Sequence, residues 1–177
     1  LKTKVDSGAG FLITQLFFDN QVYFDFVRAA RERGIDVPII AGVIPVASFA
    51  QTKRICDLCD ATIPAPLEAA FEAAGGDPER EFELGIAYAA QQCAELLIAG
   101  CPGIHFYALN RAPATRAVLG ALRASRPWER VRGDADLVFY NHAEHPSGAV
   151  RHLGKSAPGA PGSPAADWLW LDLARVE

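Results

Sequence analysis

Methionine is absent from this 177-residue sequence, which begins with Leu1. We therefore expect the chain to be a processed product or a piece of a longer protein. Long apolar runs are absent too, because prolines interrupt the two longest uncharged stretches, residues 37–52 and 96–110. Neither reaches the ~18 consecutive apolar residues that a membrane-spanning helix needs, and no signal peptide opens the chain. The sequence predicts no membrane partner.

Positive charge is not in excess. The chain has 17 Lys and Arg against 21 Asp and Glu, which gives a formal net charge of −4. A nucleic-acid binder usually carries a basic patch or run, and none is present here. Half of the residues are apolar and 21% are charged, a composition typical of a folded globular domain. We therefore expect small-molecule partners and no nucleic acid.

Cysteine is also scarce. The four cysteines lie in predicted helices or at a helix end, unlike the loop cysteines of a disulfide-stapled secreted domain: Cys56, Cys59, Cys93 and Cys101. Reduced thiols and a cytoplasmic location are therefore expected. Cys56 and Cys59 form a CxxC pair about two turns inside a helix, away from the helix N-terminus that would stabilise a thiolate. His142 and His145 lack a third ligand for zinc, so we predict no metal site.

Three continuous apolar runs alternate with amphipathic segments. Residues 11–18, 38–44 and 104–109 are predicted strands, and each is followed by a predicted helix. Continuous apolar strands between helices indicate a parallel sheet covered by helices, the α/β class. Residues 1–124 hold about three of the eight units of a (β/α)8 barrel, which needs ~250 residues.

The pattern changes after residue 124. Residues 156–166 (SAPGAPGSPAA) have the composition of a flexible linker, and residues 167–173 are either a short strand or an apolar tail. We therefore predict a partial (β/α)8 TIM barrel over residues 1–124 and an irregular C-terminal tail over 125–177. A barrel cut in this way leaves the edges of its first and third strands open, which favours association.

Polar residues at strand ends are the first candidates for a site, because ligands of βα folds bind there. Gln15 interrupts an apolar strand, and the alternative is a core amide bonded to backbone. Gln51 follows the second strand, where a capping box with Ser48 is the alternative. Arg111 follows the third strand; it suits a carboxylate or phosphate, and the alternative is a salt bridge at the rim. Gly8 and Gly10 precede a strand, so they do not form a dinucleotide fingerprint.

Four segments carry a family resemblance. They are residues 4–9 (KVDSGA), 13–19 (ITQLFFD), 39–46 (IIAGVIPV) and 105–111 (HFYALNR). In this order and spacing they closely resemble the C-terminal part of the catalytic barrel of the methylenetetrahydrofolate reductase family. The resemblance covers residues 1 to about 122. It implies that the three strands are the sixth, seventh and eighth of a (β/α)8 barrel.

The family's chemistry sets further expectations. The resemblance implies bound FAD, which takes hydride from NAD(P)H and passes it to 5,10-methylenetetrahydrofolate, giving the 5-methyltetrahydrofolate used in methionine biosynthesis. Lys4 would contact FAD. The general acid and most FAD contacts would come from the first half of the barrel, outside this chain. The catalytic residues are therefore not identified, and nothing in the sequence promotes Asp19 as a substitute.

The resemblance also implies roles at the strand ends. Gln15 would hydrogen-bond the pterin, Gln51 would line the folate site and Arg111 would meet the glutamate tail. Tyr107 and Leu109 would help to wall the pocket. The chain would thus supply the folate-binding side of the enzyme.

Two other hypotheses stay open from the sequence. The chain could be an inactive barrel fragment that acts only as a binding or association module, or another βα-barrel enzyme on the same scaffold. We expect either a homo-oligomer or a need for the missing N-terminal half of the barrel.

Overall fold

The computed structural model describes residues 1–109, 112–127, 137–140 and 152–153, the last two segments as backbone strands. Helices and strands alternate along most of the chain. Their order is α1 (Lys2–Asp6), β1 (Leu12–Leu16), α2 (Asn20–Glu32), β2 (Ile39–Val43), α3 (Phe49–Cys59), α4 (Ala65–Ala73), α5 (Pro78–Ile98), β3 (Gly103–Phe106), α6 (Ala112–Ser125), β4 (Leu137–Tyr140) and β5 (His152–Leu153).

Side chains at helix starts fix several of these boundaries. The carboxylate of Asp19 accepts a hydrogen bond from the Gln21 N–H and caps α2, and Asp77 caps α5 with Pro78 in the first turn. At α3 the Ser48 half of the predicted capping box does not form. The Phe49 N–H donates instead to the Glu81 carboxylate at 3.0 Å, because α5 packs close to this helix start.

The sheet confirms the α/β prediction. Its strand order is β1-β2-β3-β4-β5, and β1, β2 and β3 pair in parallel. Each of these strands is followed by helix, so three βα units are present, as expected from residues 1–124. The pairing of β1 with β2 is irregular between Ile13 and Leu16, where the register shifts.

The tail differs from the prediction. β4 pairs in parallel with β3, with Ile104 opposite Phe139, and β5 pairs antiparallel with β4. The expectations of an irregular tail and an open edge on the third strand are therefore wrong at these residues. The physical reason is that unpaired backbone groups on the edge of β3 gain hydrogen bonds from a parallel strand after the α6 crossover. Residues 156–166 and 167–173 lie outside the described part of the chain.

Two apolar clusters hold the fold together. The first fills the space between the sheet and helices α2, α5 and α6, and includes Ile39, Leu96 and Val118. The second lies under α3 and α4, where the rings of Phe49 and Phe71 stack at a centroid distance of 4.7 Å. This second cluster holds α3 and α4 in place and so positions the residues that follow the end of β2.

The four cysteines are free thiols, and Cys93 and Cys101 are buried in the first cluster. Burial raises the pKa of both thiols, which disfavours the reactive thiolate. Within the described ranges, no helix is both long enough and apolar enough to cross a membrane.

Candidate functional site

A cavity of about 330 Å³ opens where β2 and β3 end. Ile44, directly after β2, and Tyr107, directly after β3, lie on its sheet side. The start of α3, the start of α6 and one side chain of α5 complete the wall. Its described lining residues carry no charge and are mostly apolar, with five polar side chains: Ser48, Gln51, Thr52, Tyr107 and Thr115. Such a site suits a largely neutral organic ligand that needs a few directed hydrogen bonds.

Tyr107 crosses the sheet inside this site. Its hydroxyl donates to the Thr14 carbonyl at 2.8 Å, so the side chain spans from β3 over β2 to β1. Gly42 makes this possible, because a Cβ there would lie 2.7 Å from the Tyr107 ring. Burial raises the pKa of Tyr107, and the hydroxyl therefore stays protonated as a donor at neutral pH. The tyrosine is a fixed wall of the cavity.

Leu109 lies on the rim of the cavity in an unusual backbone conformation. Its φ is +49°, in the left-handed region that non-glycine residues seldom occupy, and 54% of the residue is exposed. Backbone strain of this kind concentrates at functional sites. Leu109, which the family resemblance assigns to the wall of the folate pocket, is one of the residues that line this cavity.

Gln51 reaches the cavity from the first turn of α3. β2 ends at Val43, Pro45 stops the strand, and α3 begins at Phe49, which brings Gln51 to the cavity wall. The side chain is exposed. Gln51 thus lines one cavity together with Tyr107 and Leu109, which lie more than 50 positions later in the chain.

Gln15 is placed differently. It is exposed on β1, its side-chain oxygen accepts from the Leu16 N–H at 3.0 Å, and it is not among the residues lining the cavity. The alternative of a buried core amide is therefore wrong, because β1 is an edge strand and one of its faces is uncovered. The Gln15 carbonyl still lies beside Gly42, close to the Tyr107 ring.

Among the remaining predicted residues, Lys4 is the one that the structure describes. Lys4 is exposed on α1 and does not line the cavity, and Arg111 lies outside the described residues. Residues 142–145 do as well. In the ranges that the structure does describe, no group of three or more His, Cys, Asp or Glu is arranged to hold a metal ion.

Thr115 and Phe82 also line the cavity, although the sequence did not predict a role in the site for either residue. Thr115 lies in the first turn of α6, is 1% exposed, and its hydroxyl has no hydrogen-bond partner among the described residues. Phe82 projects from α5. No local signal marks either residue, since only the packing of α5 and α6 against the strand ends brings them to the cavity.

Comparison with known proteins decides the family. The family model for methylenetetrahydrofolate reductase matches residues 1–123. The chain belongs to the methylenetetrahydrofolate reductase family. This confirms the resemblance stated from the sequence and is consistent with a partial βα barrel.

Individual relatives agree. Over 147 residues the chain is 36% identical to the probable methylenetetrahydrofolate reductase (NADPH) of Caenorhabditis elegans, covering 82% of this chain and 22% of the relative. It is 33% identical over 138 residues to methylenetetrahydrofolate reductase (NADH) 1 of Arabidopsis thaliana, covering 73% and 23%. It is 38% identical over 122 residues to 5,10-methylenetetrahydrofolate reductase of Escherichia coli K12, covering 69% and 41%. The chain thus spans about a quarter to two fifths of these relatives.

Proposed function

We propose that this chain is the folate-binding side of a methylenetetrahydrofolate reductase. The reaction is the reduction of 5,10-methylenetetrahydrofolate to 5-methyltetrahydrofolate, in one-carbon metabolism in the cytoplasm. The observation that carries the proposal is the convergence of Gln51, Tyr107 and Leu109 on one cavity within a chain that matches the family over residues 1–123. In this proposal β1, β2 and β3 are the last three strands of a (β/α)8 barrel.

The lining chemistry supports a folate ligand. A glutamine side chain offers both a donor and an acceptor, which matches the mixed edge of a pterin. The apolar wall around it suits flat rings, since ligand sites combine a mostly apolar surface with a few directed polar groups. Gln15 and Arg111 would add pterin and glutamate-tail contacts once the rest of the barrel is in place.

The described residues do not by themselves form an FAD site. FAD would supply the hydride, received from NADH or NADPH, and the names of the relatives include both donors. Of this chain, only the exposed ammonium of Lys4 is assigned to FAD, and a single cation does not make a dinucleotide site. We therefore assign the flavin chemistry and the general acid to a barrel half that this chain does not contain.

A binding titration tests the folate side directly. The unchanged chain is titrated with 5-methyltetrahydrofolate, and saturable binding is expected. Gln51→Ala should weaken it about 5- to 20-fold, the effect of losing hydrogen bonds worth ~1 to 1.8 kcal/mol. Gln91→Ala is the matched control, because Gln91 is an exposed glutamine lining a separate cavity beside α4 and α5. No saturable binding by the unchanged chain would contradict the proposal.

An activity assay tests whether the reaction needs the barrel half that this chain does not contain. With FAD, NADH and methylenetetrahydrofolate, the chain alone should give no turnover above the protein-free rate. Turnover by the chain alone would show that it holds its own acid and flavin site. A chain carrying the preceding barrel strands is the required partner in this proposal.

One observation favours the second candidate, an association module without catalysis. Among the described strands β1 pairs only with β2, so it forms an edge of the sheet, and Ile13 is 37% exposed on one face of it. An open strand edge templates pairing with another chain. A stable dimer measured by light scattering, together with no folate binding, would favour this candidate over the reductase.

A further inference from the structure

We propose that Phe82 is a stacking wall of the cavity, against which a flat aromatic ring of the ligand lies. The inference rests on the proposed function, because the two rings it concerns are the pterin and the benzoyl ring of a folate. It adds a ligand-binding residue on α5, an element to which the sequence prediction assigned no part of the site.

The packing of α5 explains how Phe82 reaches the cavity. Gly85 is buried against the loop between β2 and α3, and a Cβ at this position would lie 1.8 Å from the Val46 carbonyl oxygen. The helix backbone therefore lies directly on that loop. Residues three apart share a helix face, so Phe82 faces the same way as Gly85, one turn towards the start of α5. That position puts its ring beside the end of β2.

The other aromatic residue of the described wall is already engaged. The Tyr107 hydroxyl donates to Thr14, its ring lies over Gly42, and the His105 ring meets it edge-on at a centroid distance of 4.7 Å. Phe82 is half-buried and has no ring–ring contact with any described residue. Of the two rings, that of Phe82 is the one available to a ligand.

The surroundings of Phe82 define the ligand chemistry. Ile44 and Ile55 share the wall, and none of the described lining residues is charged. An uncharged aromatic ring gains both apolar burial and an offset-stacked or edge-on contact in such a place. In this proposal Gln51 hydrogen-bonds another part of the ligand in the same cavity, and Phe82 contacts the aromatic ring of the ligand.

The test compares two phenylalanine variants of the full chain by titration with 5-methyltetrahydrofolate. Phe82→Leu keeps an apolar side chain but removes the ring, and the Kd should rise about 2- to 12-fold, the range that corresponds to one aromatic pair. Phe26→Leu is the control, because Phe26 is 40% exposed on α2 and does not line the cavity. Its Kd should equal that of the unchanged chain, and Phe82→Tyr, which keeps the ring, should stay within twofold.

Two ligand fragments identify the stacked ring. Phe82→Leu should weaken either pterin or p-aminobenzoylglutamate and leave the other unchanged. In the unchanged chain, intermolecular NOEs from the protons of the stacked ring to the Phe82 ring are expected, and this measurement needs no variant to fold.

The outcomes separate the two proposals. Saturable binding that is equally tight in Phe82→Leu, or bound ligand without NOEs to Phe82, would overturn the stacking role and leave the folate-binding proposal intact. If the unchanged chain binds no folate and no fragment, the proposed function fails and the stacking role fails with it.

Discussion

β1 and β2 are neighbouring strands of similar apolar sequence, yet they are buried very differently. Every residue of β2 is buried, whereas β1 alternates between partly buried and exposed positions and has one buried residue, Leu16, at its end. Ile13 and Ile40 are partners across the two strands and share a face of the sheet, but Ile13 is 37% exposed and Ile40 is 3% exposed. β2 lies between two strands and β1 at an edge, so burial here depends on neighbours more than on residue type.

Replacing each isoleucine of this pair by alanine should give the largest contrast. Ile40→Ala should destabilise the chain by about 3 kcal/mol, because it removes buried methyl groups and leaves a cavity. Ile13→Ala should cost under ~1 kcal/mol, since much of its side chain already contacts water. Urea unfolding of both variants measures the difference. Equal losses would mean that the β1 face is covered in solution, as an associated second chain would cover it.

Replacing Gly85 by alanine tests the contact that places α5 against the end of β2. Gly85→Ala should cost ~1 to 3 kcal/mol, because its Cβ would lie 1.8 Å from the Val46 carbonyl oxygen and the helix must move away. Gly120→Ala on α6 is the matched control, since nothing lies within 4 Å of its Cβ position. There alanine should stabilise by ~0.5 to 1 kcal/mol through helix propensity. A higher Tm for Gly85→Ala than for the unchanged chain would contradict this packing.

Replacing two threonines by valine should change the stability by smaller amounts and in opposite directions. The Thr14 hydroxyl accepts from the Gly42 N–H at 2.9 Å and ties β1 to β2, so Thr14→Val should destabilise by ~1 kcal/mol. The Thr115 hydroxyl is buried and has no partner in the part of the chain that the structure describes, so Thr115→Val should stabilise the ligand-free chain by up to ~1 kcal/mol. The midpoint of urea unfolding, compared between variants with the same m-value, measures both changes in stability. A destabilised Thr115→Val would show that this hydroxyl is satisfied in solution.

Much of the architecture was predictable because its signals are local. The apolar runs that became β1, β2 and β3 are each bounded by turn or helix-start residues, and Asp19 and Asp77 mark helix starts by hydrogen bonds to backbone N–H groups two or three positions away. β4 was missed because residues 137–140 are a short apolar run without periodicity. This segment is a strand because its backbone pairs with β3, a contact between distant residues that no local pattern indicates.

The site was predictable only in part. Gln51, Tyr107 and Leu109, which the family resemblance assigned to the folate site, line one cavity. The alternative of a buried core amide at Gln15 is wrong, because its edge strand leaves this residue exposed. Phe82 and Thr115 carry no sequence signal, because each reaches the cavity through the approach of one helix to another element.

The α/β class, the order of the βα units and the family follow from the amino-acid sequence alone, since periodicity, capping residues and the match over residues 1–123 are properties of the chain as written. Tertiary structure decided which side chains share a cavity, which strand is exposed and how the edge of β3 is covered. These depend on contacts between residues far apart in the chain, such as the Tyr107 hydroxyl on the Thr14 carbonyl and Gly85 on Val46, and no local pattern encodes them.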